Sequence, residues 1–402
     1  MKRRLLVAVT AVALLAGCAS QHANSSQGKG DSSAPSAAKP ASPDERAATK
    51  GSTAKTPAGT VLVADFGADT VTFVDPDKGP VDSVKVGTAP YGLAVGDDGR
   101  AWVATAEGVA VVDTGSRTRI ALIPYETRNL GEPTHGEYRG GGMGIALAPD
   151  GEHVYVGVNV PDAKGTLEVV DTDTLKVTGV AGVGRRPFDV DVSWDGGQVY
   201  ATGHDSFDVT VVDPADLDGG TRRIEVAPYG TEGGLGSWLK PHYAAVRPSD
   251  GKLLFPFEGE KLVVVDPDTG RSTTERMTAN THQHGTTVTP DGTLLVVGTG
   301  PIDPSRDEGP SLTVRPKDRS SKDRSSKDRS SKDRSSKDGK EKVIPLDGPH
   351  EDVTVSTDGR TAYVTGGFTR DGYWNGLTVV DVDSGATRRL AAGDRPLGIA
   401  VL

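Results

Sequence analysis

Apolar residues along this chain come in short runs separated by tight polar turns, and the arrangement repeats. Pro90–Asp113 carries the unit: Leu93-Ala94-Val95, an Asp98-Gly99 turn, Ala101-Trp102-Val103-Ala104, then Val109 to Asp113. Each run has a β pattern. Asp-Gly between two such runs predicts a hairpin turn, because glycine accepts a positive φ without steric cost. The turn recurs at Asp150-Gly151, Asp195-Gly196, Asp250-Gly251, Asp291-Gly292 and Asp358-Gly359. A Val-Asp ending recurs at Asp75, Asp171, Asp213, Asp266 and Asp381.

The repeat reads as four strands. Strand a is the Gly-Leu-Ala-Val type, b the Ala-Trp-Val-Ala type, c the Val-Val-Asp type, and d a run such as Arg119 to Ile123. Strand a falls at Leu93, Ile145, Val190, Ala244, Thr286, Val353 and Ile399. The chain enters at a strand b, Val61 to Ala64, and ends on an isolated strand a, Pro396 to Val401. These features predict an all-β chain, a seven-bladed β-propeller over residues 60–402. The C-terminal strand completes the first blade and removes the open sheet edges. No blade buries both of its faces alone, so the ring should fold as a unit. Blade six departs from the pattern. Arg315 stands where other blades place the Val-Asp aspartate, and Lys-Asp-Arg-Ser-Ser then runs four times from Lys317 to Ser336. Without apolar residues, 317–340 is expected to be a disordered insert between strands c and d.

Pro90-Tyr91-Gly92-Leu93-Ala94-Val95, Ala148-Pro149-Asp150-Gly151-Glu152-His153-Val154-Tyr155-Val156 and Thr361-Ala362-Tyr363-Val364-Thr365-Gly366-Gly367 resemble the YVTN-type β-propeller repeat. The resemblance covers about residues 60–402 and implies the fold. It does not choose a function: related propellers include surface scaffolds, lactonases, quinoprotein dehydrogenases and haem- or copper-binding domains.

The N-terminus reads as an address. Lys2, Arg3 and Arg4 precede an apolar run, Leu5 to Leu15, too short to span a bilayer. Leu15-Ala16-Gly17-Cys18 resembles the lipobox of bacterial lipoproteins. That resemblance implies that 1–17 is a lipoprotein signal peptide, cleaved before Cys18, and that Cys18 carries the lipid. An ordinary secretory signal with a chance cysteine is the alternative. Cys18 is the sole cysteine, so no disulfide supports the fold. Residues 18–59 then comprise the lipidated cysteine and a linker rich in Ser, Ala, Lys, Pro and Gly, expected to be disordered. Such a tether spans about 35 Å on average. The expected place is the cell membrane, lipid-anchored and facing outside the cytoplasm. A net charge of −10 gives no support to nucleic-acid binding. The expected state is a monomer. Its partners would be the membrane, through the anchor, and an envelope protein, a glycan or a small ligand on one loop face.

That face is the one made by the b–c and d–a connections. The long connections cluster there: Pro124–Gly141, Pro228–Lys240, Gly300–Pro310 and Phe368–Gly376. Long loops on a rigid scaffold are where binding usually sits. His22 lies in the linker, and of the other seven histidines His135, His204, His242, His282, His284 and His350 map to this face, His153 alone to an a–b turn. The strand-a starts sharpen the pattern. The position of Tyr91 is taken by Leu397, Met143 and Phe188 in three other blades, then by His242, His284 and Glu351 in blades five to seven. Strand a lines the central channel, so one half of its mouth is apolar and the other carries imidazole and carboxylate.

His242, His282, His284, His350 and Glu351 are therefore the candidate ligands of one metal ion. Imidazole nitrogen binds Zn²⁺ at about 2.0–2.1 Å, and a set without thiolate suits Zn²⁺ or Cu²⁺ over Cu(I). A polar, solvated channel mouth without metal is the alternative. Trp238, Tyr373 and Trp374 fall on the same face and either wall a pocket or pack loops. No Gly-x-Ser-x-Gly elbow, Walker loop or Cys-x-x-Cys-His haem motif occurs. Two function classes stand. The first is a membrane-anchored, non-catalytic binding module, with a transition metal at the channel mouth as one ligand. The second is an envelope enzyme on the same scaffold, either a lactonase-like hydrolase or a metal-dependent redox protein. It rests on the His and Glu cluster alone.

Overall fold

The structure, a computed structural model, describes residues 56, 58–234, 237, 239–257, 259–278, 283–300, 309–317, 341–367 and 373–402. The expected signal peptide at 1–17, Cys18, nearly all of the expected linker, His282, Trp238 and the Lys-Asp-Arg-Ser-Ser tract beyond Lys317 lie outside these residues. The described strands form seven antiparallel sheets of four strands each, the blades of a propeller. Six blades run a–b–c–d in chain order. In the remaining one the last strand of the chain, Pro396–Val401, sits inside Val61–Asp65, Thr70–Asp75 and Gly79–Lys85. Its register pairs Val61 with Val401, Leu62 with Ala400 and Val63 with Ile399. Gly59 N also donates to Leu402 O at 2.6 Å, and Leu402 N to Thr60 O at 2.9 Å. The predicted closure is thus present. Thr56 is already buried, its hydroxyl donating to the Thr114 carbonyl of blade two, so packing begins a few residues before the expected boundary at 60.

The turn chemistry is local. Gly99, Gly151, Gly196, Gly251, Gly292 and Gly359 all have φ between 69° and 92°, the left-handed region that favours glycine. The preceding aspartates accept backbone N–H groups across the turn, as Asp98 does from Arg100 at 2.9 Å and Asp358 from Arg360 at 3.1 Å. The strand-c aspartates do the same at the c–d turns: Asp113 accepts from Ser116 N at 2.6 Å, Asp171 from Thr174 N at 2.7 Å, and Asp381 from Ser384 N at 2.6 Å. Arg315 breaks this rule in blade six. It pairs with Glu341 at 3.2 Å and Glu275 at 2.5 Å, tying the start of strand d to blade five.

The cores lie between blades, which follows from strand alternation. Leu62 and Ala64 face blade two and pack with Ala101, Val103, Ala110 and Val112. Their neighbours Val61 and Val63 face blade seven and pack with Tyr363, Leu377 and Val379. Both faces are buried, so these strands read as continuous apolar runs, and each blade depends on its neighbours. No helix among the described residues is long and apolar enough to cross a membrane.

Candidate functional site

The seven strand-a starts converge on one end of the channel, where the inner strands approach so closely that they hydrogen-bond across blades. Gly92 N donates to Met143 O at 3.1 Å, Gly398 N to Tyr91 O at 3.0 Å and Gly285 N to Glu351 O at 2.7 Å. A Cβ on Gly92 would fall 2.5 Å from Met143 O, so glycine is required there. Blade four has Asp189 in this place, and its Oδ2 accepts from Ala244 N at 2.8 Å.

The mouth is divided as the sequence suggested. Leu397, Tyr91, Met143 and Phe188 form a buried apolar arc with Phe66 and Ala89. His242, His284 and Glu351 form the other arc and are buried too. The rings make a continuous chain. Phe188 meets Tyr91 edge-on at 5.5 Å and stacks on His204 at 5.2 Å, His204 meets His242 at 4.7 Å, and His242 stacks on His284 at 4.6 Å. His284 Nδ1 lies 3.0 Å from Glu351 Oε1, and that oxygen accepts a hydrogen bond from the Tyr243 hydroxyl at 3.4 Å. Glu351 is 1% exposed, and its Oε2 has no hydrogen-bond partner among the described residues.

His204 was not among the metal candidates, and the structure makes it central. It opens a short 3-10 turn, His204–Ser206, in the b–c connection of blade four. Its Nδ1 donates to Asp205 Oδ1 at 2.8 Å, and its Nε2 lies 3.3 Å from Nε2 of His242. Lys240 Nζ donates to the same Asp205 oxygen at 2.8 Å, and Arg186 Nε lies 3.3 Å from Asp205 Oδ2. Burial, aided by the charges of Arg186 and Lys240, pushes the His204 pKa down to about 4 against the pull of Asp205. Burial alone would raise the Asp205 carboxyl. The hydrogen bond and charge of His204, the Lys240 hydrogen bond and the Arg186 charge outweigh it and hold that carboxyl well below its usual range. Ionised Asp205 accepting from Nδ1–H leaves the Nε2 lone pair of His204 directed at His242. A weak signal for this existed in the sequence. Arg186-Pro187-Phe188 and Lys240-Pro241-His242 both place a cation before the proline that opens strand a.

The candidate residues are thus partly gathered. His242, His284 and Glu351 meet at the mouth. His350 does not join them: its Nδ1 donates to Gly348 O at 2.6 Å and its Nε2 accepts from Thr378 Oγ1 at 2.7 Å, inside blade seven. Successive residues of an extended chain point to opposite sides, so His350 and Glu351 diverge. Burial pushes the His350 pKa down to about 4. His282 lies outside the described residues. His135 sits at the rim with Nε2 2.7 Å from Asp69 Oδ1. Tyr373 is exposed, while Trp374 packs edge-on against His350 at 5.6 Å. Among the described residues, three His or carboxylate ligand atoms come within 4.8 Å of one another only at Asp150, Glu152 and His153, a surface turn on the opposite face.

Below the mouth the channel carries carboxylates. Asp352 is raised to about 8 by burial, with the charges of Asp189 and Glu351 adding to the effect. Burial raises Asp189 to about 6, and it pushes Asp191 well up with the charge of Asp189 beside it.

No protein-family model matches the chain, and no curated protein does. Solved structures do. A periplasmic gluconolactonase from Pseudomonas aeruginosa superposes with a TM-score of 0.59 at 15% identity, over 86% of this chain and 99% of that one. Virginiamycin B lyase from Staphylococcus aureus gives 0.52 at 15%, over 82% and 88%. A protein of unknown function from Desulfotomaculum acetoxidans gives 0.61 at 12%, over 85% and 98%. At such identity the likeness shows the fold alone: this chain is a seven-bladed β-propeller similar in architecture to lactonase and lyase scaffolds.

Proposed function

We propose that the chain is a lipid-anchored, extracytoplasmic binding module, non-catalytic, whose ligand site is the channel mouth between blades four and seven. The observation that carries this is the buried arc His204, His242, His284, Glu351, set against an apolar arc that closes the rest of the ring. Buried polar side chains of this density are costly unless they are matched to one another or to a ligand. The signal peptide, Cys18 and the long tether support display beyond the membrane. Within this reading the mouth takes a transition-metal ion, Zn²⁺ or Cu²⁺. His204 and His242 offer the strongest pair, because two imidazoles bonded at 2.0–2.1 Å in a tetrahedral shell have nitrogens about 3.3 Å apart. His284 and Glu351 stand next to them. Calorimetric titration of residues 56–402 with Zn²⁺ and Cu²⁺ tests the metal, and membrane fractionation of the Cys18→Ala protein tests the anchor. Saturable heat lost in His242→Ala, and release of the Cys18 variant from the membrane, are the expected results.

The second reading is an enzyme of the envelope. It is favoured by the His284–Glu351 contact at 3.0 Å, an imidazole–carboxylate pair of the kind general-base hydrolysis uses, and by neighbours named for lactonase and lyase activity. Turnover of simple lactones that disappears in Glu351→Gln would favour it over the binding module.

A further inference from the structure

Arg186 is the residue at this mouth whose chemistry neither reading uses. Its side chain is 2% exposed and spends Nε on Asp205. Both terminal nitrogens, Nη1 and Nη2, are buried and have no hydrogen-bond partner among the described residues. Tyr138 covers the flat face of the guanidinium, whose carbon lies 3.5 Å from the ring centroid, so the donor edge is the part left to bond. A guanidinium keeps its charge at any ordinary pH, and leaving buried donors of a charged group unmade costs more than about 1–3 kcal/mol.

Asp205 cannot supply the missing acceptors. Its Oδ1 is taken by His204 and Lys240, and its Oδ2 faces Arg186 Nε. Two cations, Arg186 and Lys240, share this one carboxylate. Within this group of three side chains the two cations outnumber the one carboxylate. Arg139 shows what a purely structural arginine does here. Equally buried, it gives Nη1 to Gly140 O at 3.1 Å and Nη2 to Ala89 O at 2.6 Å and Gly142 O at 2.9 Å. Arg186 has no such carbonyls.

We propose that Nη1 and Nη2 of Arg186 form the recognition fork for a small carboxylate-bearing ligand at the mouth between blades four and five. The inference rests on the reading of the mouth as a ligand site and names the ligand's chemical class. A planar fork of two parallel N–H groups matches a carboxylate bidentately, and a single surplus charge is balanced by a monoanion. Lys240, on the other side of Asp205, supplies the longer-range attraction. The stacked rings of Phe188 and His204 line the same mouth and suit a carboxylate carried on a flat or apolar body.

The test is calorimetry of residues 56–402 in chloride buffer with EDTA, using acetate, phenylacetate, gluconate and inorganic phosphate as probes. Saturable binding of at least one carboxylate, stronger than phosphate, is expected. Arg186→Lys keeps the charge but not the fork and should weaken it at least tenfold. Lys240→Gln should weaken it several-fold, and circular dichroism of both variants reports whether the fold is kept. Phosphate binding tighter than every carboxylate would overturn the assignment, as would carboxylate binding unchanged in folded Arg186→Lys, or no saturable heat from any probe with the wild-type protein. A metal titration without EDTA separates the two ideas: Zn²⁺ binding with no anion binding leaves the mouth a ligand site and removes only the role of Arg186.

Discussion

His204 Nε2 and His242 Nε2 face each other at 3.3 Å, brought together from different blades and 38 residues apart in sequence. Asp205 orients the first ring by accepting from its Nδ1, which fixes the tautomer and leaves Nε2 as the free nitrogen of the pair. The separation suits either one N–H···N hydrogen bond or two ligands on one tetrahedral ion.

A metal titration decides between them. His204→Ala and His242→Ala should each lower Zn²⁺ affinity by at least about tenfold, and His350→Ala should leave it unchanged, since both His350 nitrogens are engaged inside blade seven. Protons compete for a ligating imidazole as pH falls through its pKa. An unperturbed histidine would weaken binding near pH 6.5. Burial has pushed His204 down to about 4, so its contribution to binding should persist to pH 5 and fail between pH 5 and 4. Calorimetry across pH 4–7 reads this, and His204→Ala that binds Zn²⁺ like the wild type would remove the pair as a metal site.

The propeller was legible in the sequence because its signals are local. The Asp-Gly turns and Val-Asp endings repeat in phase with the strands, and the isolated strand a at Pro396 has one open place to go. The mouth was legible where strand alternation controls it, at His242, His284 and Glu351. His204 was not, because it stands in a b–c connection with no fixed register. Its role depends on Asp205, Arg186 and Lys240 arriving from two blades. His350 shows the converse limit: one residue from Glu351, it points the other way.

Ring closure makes a second prediction. Deleting Arg395–Leu402 removes the strand that pairs with Val61–Val63 and bares Leu62, Ala64 and their neighbours. The truncated protein should lose its single cooperative melting transition and bind hydrophobic dye, because an open array exposes edges and a blade interface. A truncated protein melting within a degree or two of the parent would show that closure is dispensable.

The Lys-Asp-Arg-Ser-Ser tract makes a third. Val314 pairs directly with Lys342, so the ends of the connection are held side by side by the sheet itself. Removing Lys317–Ser336 leaves Lys337-Asp338-Gly339-Lys340, which can turn the hairpin with the same Asp-Gly chemistry as the a–b turns. Shortening a loop changes closure entropy by only about 0.6 kcal/mol per halving, so stability should change by less than about 1 kcal/mol. Chemical denaturation of the two proteins measures this, and a loss of several kcal/mol would mean that the tract packs on the propeller.

The channel carboxylates predict how stability depends on pH. Asp352 is raised to about 8 by burial first, then by the charges of Asp189 and Glu351, against the hydrogen bond from Val353 N. A carboxyl whose folded pKa lies above its unfolded value of about 3.9 holds its proton more tightly in the folded state. Its favourable contribution is complete below pH 4 and is lost as pH rises from about 4 to about 8. Asp189, raised to about 6, and Asp191, also raised by burial, act in the same direction. Asp205 acts in the opposite one: held low, it contributes above pH 4 and loses that contribution as acid protonates it. Above pH 5 the raised group dominates, so the melting temperature should fall steadily toward pH 9. Asp352→Asn mimics the neutral acid at every pH. It should stabilise the protein by about 1–3 kcal/mol at pH 9, a range kept below the full shift because Asp352 is partly exposed to the channel, and by almost nothing at pH 4. Thermal melts of both proteins from pH 4 to 9 measure the difference. Two curves that run parallel over that range would mean that Asp352 does not titrate between them.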